Sequence, residues 1–258
     1  MALCALSPVS DATGSGIGSA TLLAELGLLP LWVRRSLPGP DAAPAAALDG
    51  AALASPPATP AIVSLRAKGR WDELAAEVAS CRACGLCETR QQTVFGVGAL
   101  RPEWLFVGEA PGAEEDARGE PFVGQAGKLL DNMLAALDLS RAKTVYIANV
   151  LKCRPPGNRD PSPEEVTRCS PYLREQIGHL APRIIVALGR FAAQTLLGST
   201  ASLSQLRGRV HRVRFGEVDY PVVATYHPSY LLRTPEDKRR AWVDLCLAQS
   251  AFYETEPR

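Results

Sequence analysis

The chain has 258 residues, of which 47% are hydrophobic and 21% charged, with 28 Lys and Arg against 27 Asp and Glu. That is enough apolar material for a sizeable core, and it lacks the low-hydrophobicity, high-charge signature of a disordered chain. A net charge of +1 excludes a uniformly basic nucleic-acid binder, so any anion-binding surface must be local. Seven cysteines are too odd a count, in too long a chain, for a small disulfide-stapled scaffold. No uninterrupted apolar run is long enough to span a bilayer. The first charge is Asp11, a poor fit to a secretory leader, so the expected location is the cytoplasm.

In chain order, residues 1–60 stand apart. Leu37 to Pro60 is dominated by Ala, Pro, Gly and Ser, a composition that predicts a flexible extension. From about Trp71 the texture is that of a folded domain, here taken as 71–258. Trp71 to Ser80 predicts a helix with Trp71, Leu74, Ala75 and Val78 on one face. Four short apolar runs follow, at 104–107, 144–148, 183–188 and 220–224, each closed by Gly, Asn, Pro or His. Helical patterns lie between and after them, at about 125–139, 162–180, 190–197 and 235–253. Strands alternating with helices predict crossover units, hence a three-layer α/β/α domain around a four-stranded, mostly parallel sheet.

In open α/β sheets, ligands bind beyond the carboxyl ends of the strands. The first run ends in Gly108-Glu109-Ala-Pro-Gly112, the second in Asn149, and the fourth in Thr225-Tyr-His227-Pro-Ser229. A carboxylate, an amide and an imidazole are therefore predicted to meet on one rim, on loops whose glycines let a backbone approach a ligand closely. The third run ends at Gly189-Arg190 and brings no obvious chemistry.

The cysteines carry a second signal. Cys81-x-x-Cys84-x-x-Cys87 is followed by Cys153, just after the second strand, and Cys169, on the helix beyond it. A tight pair completed by two distant cysteines predicts a four-thiolate site, and thiolates suit zinc or an iron–sulfur cluster equally. Four thiolates would close the coordination sphere of a zinc ion, which argues against a catalytic metal.

Taken together, Cys81-x-x-Cys84, Gly108-Glu-Ala-Pro-Gly112, Gly119-Glu-Pro-Phe-Val-Gly-Gln-Ala-Gly127, Asn149-Val-Leu-Lys-Cys-Arg-Pro-Pro156 and His227-Pro-Ser-Tyr-Leu-Leu-Arg233 occur in that order. This set closely resembles the family 4 uracil-DNA glycosylases, the iron–sulfur branch of the uracil-DNA glycosylase superfamily, over about residues 71–250. The resemblance implies that Cys81, Cys84, Cys153 and Cys169 hold a [4Fe–4S] cluster, leaving Cys87 outside the set. It implies that Phe122 stacks on an extruded uracil, that Asn149 reads its pyrimidine edge, that Glu109 handles the attacking water and that His227 lies near the uracil O2. Gly108 and Ser229 belong to the same motifs and are expected to line the base site. Glu115, or the backbone at Gly112, is the candidate to exclude thymine.

DNA contacts are expected from Gln125, at a helix start suited to a phosphate, and from Arg233. Lys152, Arg154 and Arg159 are expected to meet phosphates as well. Leu231 is the expected wedge into the gap that a flipped base leaves. The expected state is a monomer acting on uracil-containing DNA, with residues 1–60 available to dock a repair or replication partner. A non-catalytic, metal-stapled DNA-binding module would need the cysteines and basic patches, but not Glu109, Asn149 and His227 on one rim.

Overall fold

The computed structural model describes residues 61–255. The predicted 1–60 extension lies outside them.

Four strands form the middle of the sheet: β2 (Trp104–Gly108), β3 (Val145–Asn149), β4 (Ile184–Leu188) and β6 (Val218–Thr225). All four run parallel in the spatial order β3-β2-β4-β6. Every residue of β2, β3 and β4 is buried, which is why they read as unbroken apolar runs. Their side chains alternate between two cores. Leu105, Val107, Tyr146, Ala148, Ile185 and Ala187 belong to one, and Trp104, Phe106, Val145, Ile147, Ile184 and Val186 to the other.

Two further edge strands, which the sequence does not signal, flank the four expected ones and make the sheet of the described residues six-stranded and mixed. β1 (Val97–Gly98) pairs antiparallel with β3, and β5 (Val210–Phe215) pairs antiparallel with β6, one at each edge. β1 is only two residues long. β5 alternates exposed and half-buried positions, with Arg212 and Arg214 outward, so it lacks the apolar run that marks a buried strand. Short, charged strands of this kind blunt a sheet edge against unwanted pairing.

Helices cover both faces. The first core includes Cys169, Leu173 and Ile177 of α4 (Pro163–Leu180) and Ala192, Ala193 and Leu196 of α5 (Arg190–Leu197). Trp71 of α1 (Ala61–Ser80) packs on this core, and α6 (Leu203–Leu206) adds Leu206. The second core takes Leu129, Leu130, Met133 and Leu134 of α3 (Gln125–Ala135), Leu231 of α7 (Pro228–Arg233) and Ala241, Leu245, Ala248 and Phe252 of α8 (Lys238–Glu254). α2 (Ala113–Arg118) stands between β2 and α3.

Helix α4 starts where the sequence signals it. The Ser162 hydroxyl accepts from the Glu165 amide at 3.2 Å, and the Glu165 carboxylate accepts from the Ser162 amide at 2.8 Å. Helix α1 begins ten residues before the predicted Trp71 start, at Ala61. Among the described residues no helix is long and apolar enough to cross a membrane.

The order β3-β2-β4 puts the reversal of strand order at β2. A crevice is expected beyond its carboxyl end, and that is where Gly108-Glu109 leaves the sheet.

Candidate active site and cysteine-lined cavity

Gly108 and Asn149 are register partners at the ends of β2 and β3. A Cβ placed on Gly108 would collide with the Asn149 Oδ1 and with the Phe122 ring, so glycine is what lets the three groups meet. The Phe122 ring lies 5.4 Å from the His227 ring, at 30° to it. A Cβ on Gly189, at the end of β4, would touch the His227 Cβ at 3.0 Å. Phe122, Asn149 and His227 thus share one crevice at the strand ends, and Glu109 follows directly on Gly108.

Phe122 is held there against its own preference. Its φ of 54° lies in the left-handed region, an outlier for an aromatic residue. Three restraints fix it. Arg141 donates to the Pro121 carbonyl at 3.0 Å and to the Phe122 carbonyl at 2.7 Å. Gly127 packs so closely under the Phe122 carbonyl that a Cβ would overlap it. Glu115 accepts from the amides of Val123 (2.9 Å), Gly124 (3.1 Å) and Gly112 (3.1 Å), tying the loop after β2 to the loop before α3.

Protonation states follow from the partners. The His227 Nδ1 accepts from the Ser229 amide at 3.1 Å and lies 2.8 Å from the Ser229 hydroxyl. An amide can only donate, so Nδ1 carries no proton, and the neutral ring is protonated at Nε2. Burial, then the Arg233 charge, draws the imidazole down to about 4, so it is neutral at pH 7. Burial, then the Asp160 carboxylate, pushes the Glu109 carboxyl up to about 7, while the Arg190 guanidinium pulls it down. The Asn149 Oδ1 is buried and has no hydrogen-bond partner among the described residues. An orphaned buried acceptor costs about 1–3 kcal/mol unless a ligand supplies the donor.

On the first-core side, Cys81, Cys84, Cys153 and Cys169 line one cavity with Cys87. All five are free cysteines. Among the described residues no three His, Cys, Asp or Glu side chains converge as a single ion requires. A four-iron cluster makes a different demand, since each thiolate binds its own iron around a shared volume. Two N–H donors are aimed at the sulfurs. Arg90 Nη1 donates to the Cys153 Sγ at 3.0 Å and the Lys152 amide to the Cys169 Sγ at 3.2 Å. Without a metal, burial pushes the Cys169 thiol up to about 11.

A family model described as the Uracil DNA glycosylase superfamily matches residues 95–249. The chain belongs to this superfamily. It is similar to the type-4 uracil-DNA glycosylase of Archaeoglobus fulgidus, 48% identical over 169 residues, which are 64% of this chain and 84% of that protein. The type-4 uracil-DNA glycosylase of Thermotoga maritima is 44% identical over 164 residues, 63% of this chain and 83% of its own. A type-5 uracil-DNA glycosylase of Thermus thermophilus is 35% identical over 156 residues, 53% of this chain and 68% of its own.

Not every residue expected to serve this superfamily member's site is placed to do so. Leu231 is fully buried in the second core and offers no tip to insert, because it lies on the face of α7 that packs inward. The exposed leucine is its neighbour Leu232. Lys152 is also buried, at 1% exposure, and cannot reach a phosphate. Arg159 is taken by Glu165, with Nη1 donating at 2.9 Å, and Arg154 donates to Asn158 at 2.7 Å. Glu115 has both carboxylate oxygens on backbone amides, so its first task is to hold the two loops together.

Gln125 and Arg233 are exposed, at the first position of α3 and the last turn of α7. Arg141, Arg190 and Asp160 are contributors that the motifs do not reveal. Their partners lie far off in sequence, so nothing local marks them.

Proposed function

We propose that the chain is a type-4 uracil-DNA glycosylase that hydrolyses the N-glycosidic bond of uracil in DNA, releasing the free base. The observation that carries this reading is the buried, unpaired Asn149 Oδ1 facing the Phe122 ring. Uracil presents a donor at N3, which an orphaned acceptor needs. Cytosine presents a bare N3 and would leave two acceptors opposed. Sites that pair a buried polar group with one base and strand it with another discriminate strongly.

The reaction breaks the bond between uracil N1 and deoxyribose C1′. Its electrons go to the base, the sugar gains oxocarbenium character, and water adds at C1′. Phe122 offers the extruded base a stacking surface, worth about 1–3 kcal/mol per base. The Nε2–H of neutral His227 is a donor for the O2 that becomes anionic, and a preorganised donor of this kind is worth about 2.7–4 kcal/mol. Glu109, as the carboxylate, orients the water, takes its proton and offsets the positive sugar. Gly108 leaves room for the base, and the Gly112 loop and Ser229 brace the groups that touch it. Gln125 and Arg233 meet DNA phosphates, and Leu232 rather than Leu231 is the apolar side chain free to enter the vacated stack.

Cys81, Cys84, Cys153 and Cys169 hold a [4Fe–4S] cluster, with Cys87 left over. When bound, the cluster supplies a cross-link between the end of α1 and the β3–α4 connection and takes no part in bond breaking.

The test is release of free uracil from a uracil-containing oligonucleotide by wild type and Asn149→Asp. Wild type should release uracil and leave cytosine. The variant, whose protonated carboxyl can pair with cytosine, should shift the uracil-to-cytosine ratio at least tenfold toward cytosine. No uracil released by wild type, or an unaltered ratio in the variant, contradicts the reading.

A further inference from the structure

The His227 ring is oriented by hydrogen bonds from its own turn alone. Among the described residues its partners are the amide and the hydroxyl of Ser229, two residues on. The imidazole is thereby fixed to the turn His227-Pro228-Ser229, and its Nε2 goes where that turn carries it. A small misplacement of a catalytic group is costly, so whatever holds the turn matters to the chemistry.

Two tyrosines bracket the turn. Tyr226 follows the last residue of β6, and Tyr230 lies in the first turn of α7, whose N-cap is His227. Their rings stack across the turn, with centroids 5.1 Å apart and planes 14° from parallel. Packing of the residue before an N-cap onto the first helical turn fixes the angle at which the chain enters the helix.

Each ring is held from outside the turn. The Arg207 guanidinium lies 4.7 Å from the centre of the Tyr226 ring. Its Nε donates to the buried Asp244 at 2.9 Å and its Nη2 to the Arg240 carbonyl at 2.6 Å. The Tyr230 hydroxyl donates to the Asp237 Oδ2 at 2.7 Å, and the Asp237 Oδ1 accepts from Arg240 at 2.9 Å. Asp237 is the N-cap of α8, and Arg240 and Asp244 lie on it, so the bracket ties the His227 turn to that helix. Both tyrosines also pack, half-buried, against the second core. Plain packing would need only apolar bulk there, whereas a stacked pair with a cation over one ring is directional.

We propose that Tyr226 and Tyr230 are positioning residues for His227, their stacked rings closing its turn so that the imidazole Nε2–H is held at the uracil O2. The inference rests on the glycosylase reading above. Arg207 and Asp237 act one step further out, by fixing the rings.

Tyr226→Leu keeps apolar bulk and removes the stack, whereas Tyr226→Phe keeps the ring. Each is made in the full-length chain, with His227 present and in His227→Ala. Single-turnover uracil excision is measured together with the half-saturating enzyme concentration. With His227 present, Tyr226→Leu should slow excision at least tenfold with half-saturation within twofold of wild type. Tyr226→Phe should stay within threefold in rate. In His227→Ala, with no imidazole left to place, Tyr226→Leu should cost less than a further twofold. Residues that act through one another are non-additive in this way, and independent ones add.

Tyr226→Leu at the wild-type rate overturns the inference. So does an equal loss in both backgrounds, the sign of a generally loosened site, or Tyr226→Phe as slow as Tyr226→Leu, which assigns the effect to the hydroxyl. A raised half-saturation with an unchanged maximal rate makes the rings a DNA contact and overturns it too. If Tyr226→Leu does not fold, Tyr230→Leu removes the stack from its other side and decides by the same criteria in the same two backgrounds. Wild type that releases no uracil overturns the functional reading, and this inference with it. Wild type that releases uracil beside an unaffected Tyr226→Leu overturns this inference alone.

Discussion

Glu109 and His227 are shifted in opposite senses, and both shifts suit the chemistry. A histidine at its ordinary 6.5 would be partly protonated near neutrality, whereas at about 4 it is a neutral donor throughout the working range. A carboxyl at about 7 is half ionised there, so its carboxylate form sets the pH dependence. Single-turnover excision should rise with pH, level off above about 7, and show no second inflection from His227 between pH 5 and 8. Glu109→Gln should lose about a hundredfold and become flat across that range. A retained inflection in the variant would assign it to another group.

The linkage signs give a further expectation. Folded Glu109 binds its proton more tightly than the unfolded chain between about 4.5 and 7, so its contribution to stability falls as pH rises. Glu109→Gln should therefore melt above wild type at pH 8, with the gap closing toward pH 5. His227 runs the other way. Its folded pKa lies below the unfolded 6.5, so it costs stability as pH falls from about 6.5 toward 4. His227→Ala should lose excision by about a hundredfold or more while keeping DNA affinity, since the ring acts on charge that develops only in the transition state. Near-normal single-turnover rates would remove it from that role.

At the scale of elements, the loop between α2 and α3 is the strained part of the site. A non-glycine residue at positive φ costs about 1–3 kcal/mol, and Phe122 persists there because Arg141, Gly127 and Glu115 over-determine the loop. Arg141→Met removes the cation that clamps two successive carbonyls. It should slow excision about tenfold and lower the melting temperature by several degrees, with hydrogen bonds to a charged group worth about 1.5–3 kcal/mol each. Affinity for uracil-free DNA should stay within about threefold, because Arg141 faces the loop. A variant of unchanged rate would mean that Phe122 keeps its place without the clamp.

Much at this scale is legible in the sequence. The buried runs at β2, β3 and β4 and the helices at 163–180 and 190–197 stand close to their predicted bounds, because burial on both faces and a capping box are local signals. Arg141 is not legible: its value depends on a carbonyl 19 residues away. Nor is the pairing of the basic residues at 207–214 and 238–240. Arg214 is met by Asp219 at 2.7 Å, Arg240 by Asp237 at 2.9 Å and Arg207 by Asp244 at 2.8 Å, which leaves less free positive charge than the residue run suggests.

At the scale of the whole molecule, two sites lie on opposite sides of one segment. β3 ends in Asn149 at the crevice, and only four residues later Cys153 enters the cysteine cavity. Sequence spacing names both residues but not the burial of Lys152 between them, which runs against the usual habit of lysine. Under the iron–sulfur reading proposed above, four cysteines from the turn after α1, the segment after β3 and α4 would staple elements that otherwise meet mainly through Trp71 and its neighbours. Removing one ligand should therefore act on the fold before it acts on the chemistry. Cys169→Ser, the ligand in the middle of α4, should abolish the visible iron–sulfur absorption. At a cost of about 3 kcal/mol for a domain of this size, it should also lower the melting temperature by about 6–12 °C. Excision should fall with temperature along the new melting curve, and the pH inflection near 7 should survive in the fraction still folded, since Glu109 lies in the loop after β2 and not on the staple. An inflection that vanished while the fold held would mean that the metal site governs the carboxylate directly, contrary to a structural role.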